Sequence, residues 1–220
     1  FLPFAQMHAI ADIDSDGRDD LLLVTGTPQV LEVVQTTPTG FLLLGSWSLP
    51  ASGYPSQIVP MDVDADGDCD VVMAWSPALN TTDFLRWTNQ AGVLTAGSTQ
   101  TFSGFLNGTY YVGDWDNDGQ QDLIERTFDS GSSSIHNHYF NMFRNSGSGF
   151  DPQYSVLIPV PNVQSGTGAG LADIDGDGNL DFVDSKTIYF GRGDFVDPKS
   201  GPASHGLIDW DGDGDLDRNG

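Results

Sequence analysis

Asp12-Ile13-Asp14-Ser15-Asp16-Gly17-Arg18-Asp19-Asp20-Leu21-Leu22-Leu23-Val24 governs the reading of the whole chain. Asp stands at the first, third, fifth and ninth places, Gly at the sixth, and an apolar run comes immediately after. Alternate residues of a tight loop turn their carboxylates inward, Gly permits the sharp turn, and the seventh residue offers a backbone carbonyl. The pattern recurs at Asp62, Asp64, Asp66, Gly67 and Asp70, and again at Asp114, Asp116, Asp118, Gly119 and Asp122. Two further copies are Asp173, Asp175, Asp177, Gly178 and Asp181, then Asp209, Asp211, Asp213, Gly214 and Asp217. Arg18, Asp68, Gln120, Asn179 and Asp215 supply the seventh-place carbonyls. Asp and Gly are common turn residues, so one such match carries little weight, whereas five in phase do.

Hard oxygen donors in this number suit Ca2+. Magnesium demands stricter octahedral geometry and keeps more water, while zinc calls for a His and Cys set that no copy supplies. Four to five calcium ions are therefore expected, as structural staples rather than catalytic ions. Without cations the converging carboxylates repel one another, so the metal-free chain is expected to be destabilised.

The rest of the composition agrees. Asp and Glu number 31 against 8 Lys and Arg, a formal charge of -23 over 220 residues, and 20 of the acids stand at the four fixed Asp places of the five loops. Five bound ions bring that charge to about -13. Such a balance excludes nucleic-acid binding by phosphate neutralisation. With 38% apolar and 11% aromatic residues the chain has material for a core, unlike a disordered acidic tail. No apolar run approaches the roughly 18 residues of a membrane-spanning helix, tracts such as Leu21 to Val24 and Phe41 to Leu44 being far shorter. Cys69 alone permits no internal disulfide. The start at Phe1, without Met or an apolar leader, fits a processed secreted protein or a segment of a longer chain.

The residues after each loop decide the fold class. A helix-loop-helix calcium hand continues to a Glu at its twelfth place and into an amphipathic helix. Here the continuations are Leu21 to Val24, Val71 to Ala74, Leu123-Ile124 and Phe182-Val183, short β-prone runs bounded by turn residues. Ala9 to Ala11, Ile58 to Met61, Tyr110 to Val112 and Gly206 to Ile208 precede the loops in the same manner. Each loop thus joins two strands. Loop starts at 12, 62, 114, 173 and 209 are 50, 52, 59 and 36 residues apart, a period suited to about four strands. A second turn falls within each of the first four units: Thr37 to Phe41, Asn89 to Val93, Asn145 to Phe150 and Gly191 to Phe195. Third strands are expected at Val30 to Val34, Phe84 to Trp87, Tyr139 to Phe143 and Thr187 to Phe190. Because every Asp-rich loop joins strands one and two, the loops are expected on one face.

An Asp-rich loop between short strands, repeated in this way, resembles the FG-GAP or VCBS repeats of integrin-α-like β-propellers. The resemblance covers nearly the whole chain and implies an all-β propeller of four-stranded blades with calcium held by the five Asp sets. The repeats run approximately 5–54, 55–106, 107–165, 166–202 and, in part, 203–220, as a single propeller domain or segment. The sequence departs from the family in its short fourth unit. It departs also in the fifth, where Arg218-Asn219-Gly220 come after Asp217 and strands two to four are expected to be absent. Phe1-Leu2-Pro3-Phe4 resembles the fourth-strand entries at Phe150-Asp151-Pro152 and Phe195 to Pro198. An excerpt from a propeller of about six to eight blades is the favoured reading, a small ring with one degenerate blade the alternative.

The family includes adhesion receptors, lectins, toxin scaffolds and propellers of polysaccharide lyases. The resemblance therefore implies an extracellular or cell-surface recognition module for a glycan or protein partner. A polysaccharide-lyase-type enzyme and a structural scaffold are the alternatives. Lys186, Lys199 and six Arg are too scattered to build a polyanion cleft, and no catalytic constellation stands out, so no enzyme is expected. His8 and His205 fall at matching repeat positions that suit strand packing. His136 and His138 lack further ligands, and Gly166 to Gly170 precedes a strand instead of a helix. Arg192-Gly193-Asp194 spells an adhesion tripeptide but occupies an ordinary turn, and Asn80 and Asn107 head glycosylation sequons. Trp115 and Trp210 lie inside loops, where Ile13, Val63 and Ile174 stand elsewhere, and suit packing beneath the loop. Trp47, Trp75 and Trp87 are weighed between a sugar site and the core, with the core the commoner fate.

Overall fold

A computed structural model describes residues 5–103, 108–128, 138–158, 169–174, 177–184, 187–190, 197–200, 207–208 and 217–218. The described residues form strands joined by loops and turns, with no helix among them. Four sheets have four strands each. The first is β1 (Ala5–Ala11), β2 (Asp20–Thr25), β3 (Val30–Thr37) and β4 (Gly40–Ser48), in that spatial order. The second is β5 (Tyr54–Met61), β6 (Asp70–Ala78), β7 (Thr81–Gln90) and β8 (Val93–Ser103). A third comprises β9 (Thr109–Gly113), β10 (Asp122–Phe128), β11 (His138–Asn145) and β12 (Phe150–Ile158), and a fourth β13 (Ala169–Ala172), β14 (Asp181–Asp184), β15 (Thr187–Phe190) and β16 (Asp197–Ser200). Each is an up-and-down meander in which sequence neighbours pair, the arrangement that short turns favour.

The expected strands are found, most of them longer than their apolar stretches. The fifth unit is corrected: β17 (Leu207–Ile208) pairs with β18 (Asp217–Arg218), Leu207 opposite Arg218 and Ile208 opposite Asp217, so its second strand has begun. Two backbone pairs suffice to register that strand although no apolar run marks it in the sequence.

The described residues fall into two compact units, Phe1–Tyr110 with Asn145–Phe150 and Tyr111–Arg144 with Asp151–Gly220. In the first unit, alternation along the strands sends Leu22, Val24, Leu31 and Val33 to one face of the first sheet. There they meet Ile58, Val71, Met73, Trp75, Leu85 and Trp87 of the second. Burial of each Leu, Ile or Val contributes about 1.5–3 kcal/mol. Trp75 and Trp87 are thus core residues, and Trp47 packs partly buried against the same cluster, which resolves the sugar-site alternative in favour of packing. On its other face the second sheet packs Phe84 against Phe102, Tyr110 and Phe150, with ring centroids 5.2–5.5 Å apart. The β4 tract from Phe41 to Leu44 is exposed, Phe41 by 61%.

The second unit repeats the packing relation. Ile124, Phe140 and Met142, which share a sheet face, gather with Trp115 and Phe182, and the rings of Phe140 and Phe182 lie 4.4 Å apart. Leu22 and Ile124 hold the same repeat position, as do Val71 and Phe182, so both units join equivalent faces. Residues 1–4, His136, His205, Arg192 to Asp194, Asn107 and Trp210 lie outside the described residues.

Candidate metal centre

Each Asp-rich loop described is closed by the same four backbone-to-carboxylate hydrogen bonds. In the first, the amides of Asp16 and Gly17 donate to Oδ1 and Oδ2 of Asp12 at 3.1 and 2.8 Å. The Arg18 amide donates to Asp16 Oδ1 at 2.9 Å, and the Ile13 amide to Asp20 Oδ2 at 3.2 Å. Asp62, Asp66 and Asp70 accept the equivalent bonds in the second loop, and Asp114, Asp118 and Asp122 in the third. Asp173, Asp177 and Asp181 do so in the fourth, where Asp175 lies outside the described residues. Of the fifth, Asp209, Asp211, Asp213 and Asp215 lie outside them, and Asp217 is described by its backbone in β18.

The ninth-place carboxylate has a second task. Oδ1 of Asp20 accepts the amide of Thr36 at 2.8 Å, and Oδ1 of Asp70 that of Asn89 at 2.6 Å. Each of these Asp residues therefore ties its loop to the end of the third strand of its own sheet. Asp20, Asp70, Asp122 and Asp181 are all buried, a position tolerable for a carboxylate because amides are aimed at it.

Two left-handed residues bend each of the first three loops. One is the expected glycine, with φ of 84° at Gly17, 91° at Gly67 and 87° at Gly119. The other stands at the fourth place, where Ser15, Ala65 and Asn117 have φ of 57°, 60° and 57°. Sequence reasoning missed it; Gly176 and Gly212 at the same place in the last two copies are its signal.

The bends bring carboxylates together. Oxygens of Asp12, Asp14 and Asp20 lie within 4.8 Å of one another, as do those of Asp62, Asp64 and Asp66, and those of Asp114, Asp116 and Asp122. Asp14 Oδ1 is buried without a hydrogen-bond partner, an expensive state for a carboxylate oxygen and one that a coordinated cation relieves. Burial raises the carboxyl groups of Asp20, Asp64 and Asp70 above their ordinary range; Asp66 and Asp62 add repulsion at Asp64. An all-oxygen donor set of this charge fits Ca2+. The seventh-place amides of Arg18, Asp68, Gln120 and Asn179 donate to the fifth-place carboxylates, which holds the chain immediately ahead of the carbonyls expected as ligands.

Among the described residues, Gln35, Arg18 and Arg144 bring side chains to the loop carboxylates. Gln35 Nε2 donates to Asp14 Oδ2, and Arg18 pairs with Asp16 while its Nε donates to the Thr36 carbonyl at 3.1 Å. Arg144, the residue after Phe143 in β11, spans two carboxylates: Nε lies 2.8 Å from Asp116 Oδ2 and Nη2 2.8 Å from Asp118 Oδ2. Its hydrogen bond holds the Asp118 carboxyl below the ordinary range. Gln35 and Arg144 hold equivalent places, each one residue beyond the β-strand partner of the first apolar residue after the loop.

Other candidates resolve simply. Trp115, Ile13 and Val63 are buried beneath their loops, as the packing expectation has it. His8 is exposed on β1, while of His138 the backbone pairing with Phe128 is described. Burial foremost, then the neighbouring Asp70, pushes the Cys69 thiol up to about 11, so it stays protonated at neutral pH. Asn80 is exposed in the β6–β7 turn.

Residues 12–73 match the family model of an FG-GAP-like repeat. The matched stretch runs from the first Asp of loop one, through β2 to β5 and the second loop, into β6. A search of the curated proteins finds no match to the chain.

Proposed function

We propose, from the match of residues 12–73 to an FG-GAP-like repeat, that the chain is a calcium-stabilised β-propeller segment serving extracellular recognition or adhesion. The observation that carries the metal half is the convergence of the Asp12, Asp14 and Asp20 carboxylates, with Asp14 Oδ1 buried and without a hydrogen-bond partner, within a loop framework repeated four times. Ca2+ held by Asp12, Asp14, Asp16 and Asp20 and their counterparts would neutralise charge that otherwise opposes folding. Four-stranded sheets joined through equivalent faces support the propeller reading.

The recognition half rests on the repeat family and on the division of labour in the molecule. Trp75, Trp87 and Trp115 are consumed by cores, and the described loop carboxylates are occupied in shaping the loops. That leaves exposed turns on a rigid frame to meet a glycan or protein. The reading is non-enzymatic.

Thermal unfolding across a calcium titration, with EGTA as zero point, tests the metal. A transition that rises and saturates near millimolar calcium is expected, and an unchanged one overturns the reading. Glycan and extracellular-protein arrays probed in calcium and in EGTA test recognition; silence on both, in either buffer, removes it.

A further inference from the structure

The described loops differ in one respect that their shared pattern conceals, namely the group facing the fifth-place carboxylate. In the second loop that residue, Asp66, stands with Asp62 and Asp64 in the convergent set, and no ion pair reaches it among the described residues. In the third loop the equivalent Asp118 is held by Arg144, which also takes an oxygen of Asp116, a member of that loop's convergent set. The set there is completed instead by the ninth-place Asp122. The first loop is intermediate: Arg18 holds Asp16, while neutral Gln35, at the place of Arg144, reaches Asp14.

We infer that Arg144 is a built-in counter-cation that competes with Ca2+ for the third loop, so that the loops fill in order, the second before the third. This rests on the calcium reading above. An ion entering the third loop must displace the guanidinium from Asp116, and from Asp118 if that residue is to serve as ligand. At Asp66 the ion entering the second loop displaces no guanidinium among the described residues. In return the third loop keeps its shape without metal, since the guanidinium already offsets the charge that strains the second. Thr88, equivalent to Arg144 in the second sheet, comes after Trp87, the partner of Val71, and carries no charge to do the same.

The loop glycines give each site its own reporter. The amides of Gly17, Gly67, Gly119 and Gly178 each donate to the first-place Asp of their own loop, at 2.8–3.0 Å. Calcium titration of the 15N-labelled 220-residue chain, followed at these four amides, therefore yields site-by-site midpoints. The Gly119 midpoint is expected to require roughly fivefold more calcium than that of Gly67, the scale of an exposed ion pair. R144Q is expected to lower the Gly119 midpoint by a similar factor and leave Gly67 unmoved, with R144K between. Coincident midpoints in the wild-type chain, or a Gly119 midpoint unmoved in both variants, overturn the inference while leaving calcium binding intact. Glycine amides that stay still to about 20 mM calcium, above the range for weak extracellular modules, overturn the calcium reading itself. The wild-type order stands as a test even if a variant fails to fold.

Discussion

The side-chain amide of Asn89 donates across 2.7 Å to the carbonyl oxygen of Ile13, a residue in the loop of the preceding repeat. The same nitrogen serves the Cys69 carbonyl at 3.0 Å, and the Asn89 side-chain oxygen accepts the Gly92 amide at 2.9 Å. One buried residue thus fastens its own loop, its own turn and the neighbouring loop. Asn145 does the equivalent one repeat later, donating to the Val63 carbonyl at 2.9 Å and accepting the Gly147 amide. Asn89→Leu keeps the volume and strands three backbone groups. It is expected to cost about 2–4 kcal/mol in urea unfolding, with calcium present or absent. A loss under about 0.5 kcal/mol would mean that the clasp is replaceable by packing.

Ala65 occupies the left-handed fourth place of loop two with a side chain poorly suited to it. Asn117, at the same place in loop three, is a residue that tolerates this conformation. Ala65→Asn is therefore expected to raise stability by about 0.5–1 kcal/mol, read from the midpoint of chemical unfolding. No gain would mean that the strain at this place is already relaxed by its neighbours.

Asp64→Asn separates the two roles of a loop carboxylate. Removing its charge relieves repulsion from Asp62 and Asp66, so in EGTA the variant should melt no lower than the wild type. The calcium-induced rise should shrink, because one anionic ligand of the convergent set is gone. A variant that melts lower in EGTA with an undiminished calcium response would assign Asp64 to packing.

Acid should stabilise the metal-free chain before it destabilises it. Asp20, Asp64 and Asp70 have carboxyl groups raised above the ordinary 3.8, so the folded state takes up protons first. Stability then increases as pH falls from neutrality toward about 4. Asp118 acts in the opposite sense, but its lowered value puts that loss below 3.8. In saturating calcium the trend should reverse, since protons now compete with the ion. Melting temperatures at about pH 7, 6 and 5, in EGTA and in calcium, check both signs.

How much of this lay in the sequence can be judged at single residues. Asp12 to Val24 announced both the loop and the strand after it, because ligand spacing and β-prone apolar runs are local properties. The turns opening at Asn89 and Asn145 were legible as turns, but the side chains clasp loops 76 and 82 residues away in sequence, and nothing local encodes that reach. Arg144 likewise looks like one more polar residue at the end of an apolar strand; its role exists only once β11 lies beside β10. Ala65 misled by its type, being no turn former, and only its alignment with Gly176 and Gly212 hints at the bend. The second strand of the fifth unit, Asp217–Arg218, went unread because two residues offer no period to detect.

Asp70 grips the Val63 amide with one oxygen and the Asn89 amide with the other. Opening either grip leaves the same carboxylate half-solvated in a buried place, so the two amides, 26 residues apart, should exchange with deuterium at matched rates. A loop built in this way has no fraying intermediate of its own: it stays latched until the end of the third strand lets go, and a protease would find both segments closed or both open.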